Sequence, residues 1–157
     1  MKKACIASVG NSFTDVKEQL LAGRSVLFSA APCQIAGLKS YLGQEYDHLY
    51  CCDFTCGGFP SHEIYRVYLD ALEQKFGTSV VSVDFRPKKL GWQSHAIEII
   101  FANGRKYLAP AELDPFFYSF IYRHYSIRDN CCSCRYSKFH QSDIILADFW
   151  LYRQASY

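Results

Sequence analysis

Apolar positions fall into short runs separated by polar turns, and their spacing alternates between strand-like and helix-like over the first half of the chain. Residues 2–9 read as a short strand. Asn11, Ser12 and Thr14 offer caps for a helix over 14–22, in which Val16, Leu20 and Leu21 are apolar and Gly23 is the stop. Residues 25–29, SVLFS, form the next strand. Pro32 follows at a first helical position, where its missing N–H had no partner in any case. A helix over 32–42 results, closed by Gly43. Residues 47–54 are a further strand, which contains Cys51 and Cys52, and TCGGFP at 55–60 is a loop. Ser61 caps the next helix. Ile64, Tyr68, Leu72 and Phe76 recur there at i, i+4 spacing as its expected buried stripe, and Gly77 ends it. Residues 80–85 are again a strand. Strand–helix–strand–helix–strand predicts parallel pairing with right-handed crossovers.

The pattern then changes. RPKKLGW at 86–92 is a basic loop. His95, Ile97, Ile99 and Phe101 alternate along one strand face, and Asn103-Gly104 is a type I′ hairpin signal that returns 105–108 antiparallel. Asp114 and Pro115 open an aromatic helix over 116–125. A cysteine-rich loop follows, and DIILADFW at 143–150 reads as a last strand. The expected class is α/β, with a mostly parallel sheet flanked by helices and an added antiparallel hairpin. There is no internal repeat, linker or low-complexity segment, so residues 1–157 read as a single domain.

Composition adds limits. Half of the 157 residues are hydrophobic and 17% are aromatic, which makes a globular chain rather than a disordered one. Seventeen basic against fifteen acidic residues leave a net charge of +2, which gives no argument for a nucleic-acid partner. No apolar run reaches the roughly 18 residues of a membrane span. The opening MKKACIASVGNSF lacks the apolar core of a signal peptide.

Eight cysteines change the picture. The chain is too large to need disulfides for its stability and carries no secretion signal, so metal or redox chemistry in a reducing cytoplasm is the leading explanation. Cys33 falls in the first turn of a helix, where the positive dipole end favours a thiolate. In an open parallel sheet ligands bind outside the carboxyl ends of the strands. Cys33 follows the strand at 25–29 and Cys56 follows the strand at 47–54, so two strands deliver one cysteine each to one edge. Cys131 and Cys134 form a CxxC that supplies two more thiols. Such a pair is also a thioredoxin-type redox motif, but that motif begins a helix after the first strands and this one does not. Four thiolates suit an iron–sulfur cluster or a structural zinc, and spacing does not choose between them. Cys51 and Cys52 read as small core residues, Cys132 as pointing away from any centre bound by its neighbours, and Cys5 as structural.

Four stretches carry a family resemblance: APCQIAGLKSYL at 31–42, DFTCGGFPS at 53–61, FRPKKLGW at 85–92, and IRDNCCSC with SDIILADFW over 127–150. In this order, over nearly the whole chain, they make it resemble the C-terminal domain of the coenzyme F420 hydrogenase/dehydrogenase beta-subunit family. The resemblance implies an iron–sulfur flavoprotein that passes electrons between a 4Fe–4S cluster, a bound FAD or FMN, and a substrate such as a deazaflavin. It implies Cys33, Cys56, Cys131 and Cys134 as cluster ligands, the same four that the spacing picks out. Departures are Gly57, where the family usually has histidine, and Ala147 and Leu151, where it usually has glycine. The family's N-terminal domain is not found among these residues, so the chain is expected to be incomplete as an enzyme.

Two functions follow as expectations. One is an electron-transfer oxidoreductase domain working with a donor or acceptor protein, in which Arg86, Lys88, Lys89 and Trp92 hold a flavin pyrophosphate or an anionic substrate. Its geometric premise is that Arg86, Lys88 and Lys89 follow a third parallel strand and so leave the sheet at the same carboxyl edge as Cys33 and Cys56. The other is a non-catalytic domain whose four cysteines bind a structural zinc and which docks partner proteins.

Overall fold

The computed structural model describes residues 9–91 and 94–147. In chain order the elements are α1 (Ser12–Leu21), β1 (Val26–Ser29), α2 (Pro32–Leu42), β2 (Leu49–Phe54), α3 (His62–Phe76), β3 (Val80–Asp84), β4 (Ala96–Phe101), β5 (Lys106–Pro110), α4 (Pro115–Ile121), the single turn α5 (Asp129–Cys132) and β6 (Ile144–Leu146). Short 3-10 turns lie at Lys88–Leu90 and Arg135–Ser137. The described residues divide into two compact units, one of 9–57 with 134–147 and the other of 58–91 with 94–133. The class is mixed α/β, with a parallel sheet and a separate antiparallel sheet.

The first unit carries the parallel sheet, in the order β1-β2-β6. Ser29 pairs with Cys52, Cys52 with Ile144, and Phe54 with Leu146. Its core joins Val16 and Leu20 of α1 to Leu38 and Leu42 of α2, with Phe13, Val26, Phe28, Tyr46 and Leu49 packed against them. Both ends of α2 are set by local chemistry. Pro32 occupies the first turn, the Ala31 N–H donates to Gln34 Oε1 at 3.0 Å, and Gly43 closes the helix at φ +70°. That positive φ suits glycine, and the Gly43 N–H donates to the Lys39 carbonyl.

The second unit is built on the antiparallel sheet β3-β4-β5. Ile97, Ile99 and Phe101 of β4 are buried against Tyr65, Leu69 and Leu72 of α3 and Phe116 and Phe117 of α4. Asp114 caps α4 by accepting the Phe117 N–H at 2.7 Å. It is fully buried and also accepts the hydroxyls of Tyr68 and Tyr107.

Several expectations are corrected here. The strand at 80–85 does not extend the parallel sheet: β3 pairs antiparallel with β4, Val83 opposite Ile99. The buried stripe of α3 is Tyr65, Leu69 and Leu72; Tyr68 and Phe76 are partly buried and Ile64 is 42% exposed. Ser61 stands at the N-cap without capping by its side chain, because its Oγ donates to Glu63 Oε2 instead. The β4–β5 hairpin is not type I′, which needs positive φ at both central residues. Among the described non-glycine residues only His124 has one. The Gly104 N–H instead donates to Phe101 O at 2.9 Å and the Phe101 N–H to Arg105 O at 3.0 Å, with Gly104 at φ +81°. That is the longer hairpin turn with a glycine bulge. The aromatic helix is shorter than expected, at Pro115–Ile121. The strand expected at 2–9, and the last strand beyond Ala147, lie outside the described residues.

Candidate functional site

Each candidate cysteine follows a defined element. Cys33 is the second residue of α2, on the segment leaving the carboxyl end of β1, and is exposed. Cys56 is two residues past the carboxyl end of β2 and half-buried. Since β1 and β2 are parallel neighbours, both leave the sheet at one edge, as the spacing predicts. Cys134, half-buried, begins the 3-10 turn Arg135–Ser137, which packs against α2. Its carbonyl accepts the Ser137 hydroxyl at 2.8 Å. These three belong to the first unit; Cys131 belongs to the second. The seven described cysteines form no disulfide with one another. Among the described residues, no group of three or more His, Cys, Asp or Glu is gathered closely enough to hold a single metal ion.

Cys131 sits in a built setting. The Phe59 N–H donates to its Sγ at 3.5 Å. Gly58, at φ +108°, lies against it: a Cβ there would come within 3.3 Å of Cys131 Cβ and 3.4 Å of Ile127 Cγ2. The Pro60–Ile127 bridge and the bond from the Arg128 N–H to Phe59 O hold the two segments together. A backbone N–H aimed at a cysteine sulfur is the kind of contact that tunes a centre where such a sulfur is a ligand. The sequence signal for this setting is the second glycine of TCGGFP.

Cys51 and Cys52 are buried in β2, and burial pushes the Cys51 thiol up. Cys132 is exposed and directs its Sγ to the Arg128 carbonyl. Cys5 lies outside the described residues.

Sequence reasoning missed a buried acid. Asp53 of β2 is fully buried, and His140 Nδ1 lies 2.9 Å from each of its carboxylate oxygens. Nearby, Asp143 Oδ2 accepts the Cys51 N–H at 2.7 Å, and the Asp143 N–H donates to Cys51 O at 2.9 Å. The lead-in to β6 is thus fixed to β2 by side chains as well as by the ladder.

The basic loop does not meet its geometric premise. It follows β3, which belongs to the antiparallel sheet, so it does not leave the parallel sheet's carboxyl edge. Lys89 is paired with Glu98, a largely buried carboxylate on β4. Lys88 is exposed, Arg86 is half-buried, and Trp92 lies outside the described residues.

Residues 23–156 match the family described as the C terminus of the coenzyme F420 hydrogenase/dehydrogenase beta subunit. The chain belongs to this family. No curated protein and no solved structure matches it. Membership in the F420 hydrogenase/dehydrogenase family sets the chain in an oxidoreductase context tied to coenzyme F420. No described helix is long and apolar enough to cross a membrane.

Proposed function

We propose that this domain passes electrons between a 4Fe–4S cluster and a flavin or deazaflavin, with Cys33, Cys56, Cys131 and Cys134 as the iron ligands. The observation that carries the reading is that the family match spans all four cysteines. The donor set agrees with it, since four thiols are the ordinary ligands of such a cluster. The redox context of the family favours iron and sulfide over a structural zinc, which has no redox chemistry of its own.

When bound, the cluster supplies one-electron steps and the flavin converts them to hydride chemistry. The chain's part is to hold and orient. Cys33 and Cys56 are delivered by adjacent parallel strands. Phe59 offers its N–H to the Cys131 sulfur, and Gly58 leaves room for it. For a flavin pyrophosphate or an anionic substrate the candidates are Arg86, Lys88, Lys89 and Trp92 on charge and ring chemistry alone, since their loop follows β3 of the antiparallel sheet and Lys89 is shared with Glu98. An electron donor or acceptor protein completes the circuit.

Anaerobic reconstitution followed by metal analysis tests the reading. Brown protein with visible absorbance, iron and acid-labile sulfide is expected. Colourless protein holding zinc alone would put the non-catalytic docking domain in its place.

A further inference from the structure

We infer that the Asp53–His140 pair is a positioning device for the cysteine-bearing loops of the parallel-sheet unit, tying the Cys134 turn to the strand that delivers Cys56. The inference rests on the cluster reading for its consequence, though not for its geometry.

Asp53 stands three residues before Cys56 and is fully buried, while the His140 side chain is 16% exposed. A carboxylate only accepts hydrogen bonds, so Nδ1 carries the proton and donates to both oxygens. A buried carboxylate without a partner is costly, so the imidazole is held where the acid is. From His140 back to Cys134 the chain has little slack. The Ser137 hydroxyl donates to Cys134 O, and the Lys138 and Phe139 N–H groups both donate to Arg135 O. That closed turn packs against α2, whose first turn carries Cys33. On the far side of His140, Asp143 is bonded to Cys51 in both directions. The segment from Cys134 to Asp143 therefore has two anchors on β2, and the one nearer the cysteine is the histidine. Residues 87 positions apart meet here, linking the loops of two candidate ligands.

His140→Asn and His140→Gln separate this role from simple packing. The asparagine amide nitrogen occupies the place of Nδ1, whereas glutamine reaches toward the place of Nε2. Two readouts apply, each at a temperature where near-ultraviolet circular dichroism shows native protein. In reconstituted protein, His140→Gln and His140→Ala should release iron to a chelator about tenfold faster than wild type, with His140→Asn close to wild type. In metal-free protein, the maleimide labelling rates of Cys56 and Cys134 should change in the same order. Unchanged labelling and iron release in folded His140→Gln would overturn the positioning role. Wild type that binds no iron, but whose labelling still responds in that order, would overturn the cluster reading and leave the positioning role standing.

Discussion

Tyr68 donates its hydroxyl to Asp114 Oδ2 across 2.6 Å, and Tyr107 donates to the same oxygen at 2.9 Å. Together with the Phe117 N–H these neutral donors satisfy a fully buried carboxylate that also starts α4. Asp114→Ala strands three donors and removes a cap, so the expected loss is about 3 kcal/mol or more. Tyr68→Phe removes one bond and should lose about 1 to 2 kcal/mol. Urea unfolding followed by near-ultraviolet circular dichroism, which reports the aromatic cluster, measures both.

The same cluster makes this unit sensitive to alkali. Burial pushes Tyr65 up to about 12, and burial with the Asp114 charge and hydrogen bond pushes Tyr107 up to about 12. Tyr68 is raised as well, first by burial and then by its bond to Asp114. An unfolded tyrosine ionises near 10. The stabilisation is therefore complete below about pH 10 and is lost as pH rises through about 12. Unfolding should set in between these values, with phenolate absorbance of the buried tyrosines rising together with the loss of circular dichroism. Exposed tyrosines such as Tyr50 and Tyr125 ionise in the folded protein. A further phenolate step above about pH 10 from the buried ones, in protein that keeps its native spectrum, would contradict this.

Gly58→Ala tests the setting of Cys131. The backbone there, at φ +108°, is strained for any side chain, and the new methyl meets Cys131 Cβ. A cost of about 1 to 3 kcal/mol is expected from the backbone alone. Iron retention should fall in step, measured as iron per chain after gel filtration. Normal retention in the variant would show that Cys131 tolerates displacement.

Lys88→Ala with Lys89→Ala should weaken binding of flavin or an anionic substrate, read by fluorescence quenching at low salt, with cluster absorbance intact. Lys89→Ala alone leaves Glu98 without its cation and should cost about 1 kcal/mol, since Lys89 is half exposed. Unchanged affinity in the double variant would make the loop an ordinary solvated turn.

What could be seen in the sequence was local. Pro32 and Gly43 mark both ends of α2, and the helix runs between them. Cys33 and Cys56 fall at one sheet edge because strand–helix–strand order dictates it. The partner of β3 was not visible: VVSVD suits any half-buried strand, and only the neighbouring hairpin decides that it pairs antiparallel. The α3 stripe turned by one residue because Ile64 and Tyr65 begin adjacent i, i+4 rows, and packing on Phe85 and Phe116 chose Tyr65. The pairing of Asp53 with His140 carries no sequence pattern, since it exists only once β6 lies beside β2.

The most direct test of the four-cysteine centre is the iron and sulfide content of anaerobically reconstituted protein across a cysteine-to-alanine series. Wild type should hold about four irons per chain. Cys33→Ala, Cys56→Ala, Cys131→Ala and Cys134→Ala should each lose the visible absorbance, while Cys132→Ala keeps it and Cys51→Ala mainly disturbs packing. Full iron retention in any of the first four variants, or colourless wild type that holds zinc, would contradict the account.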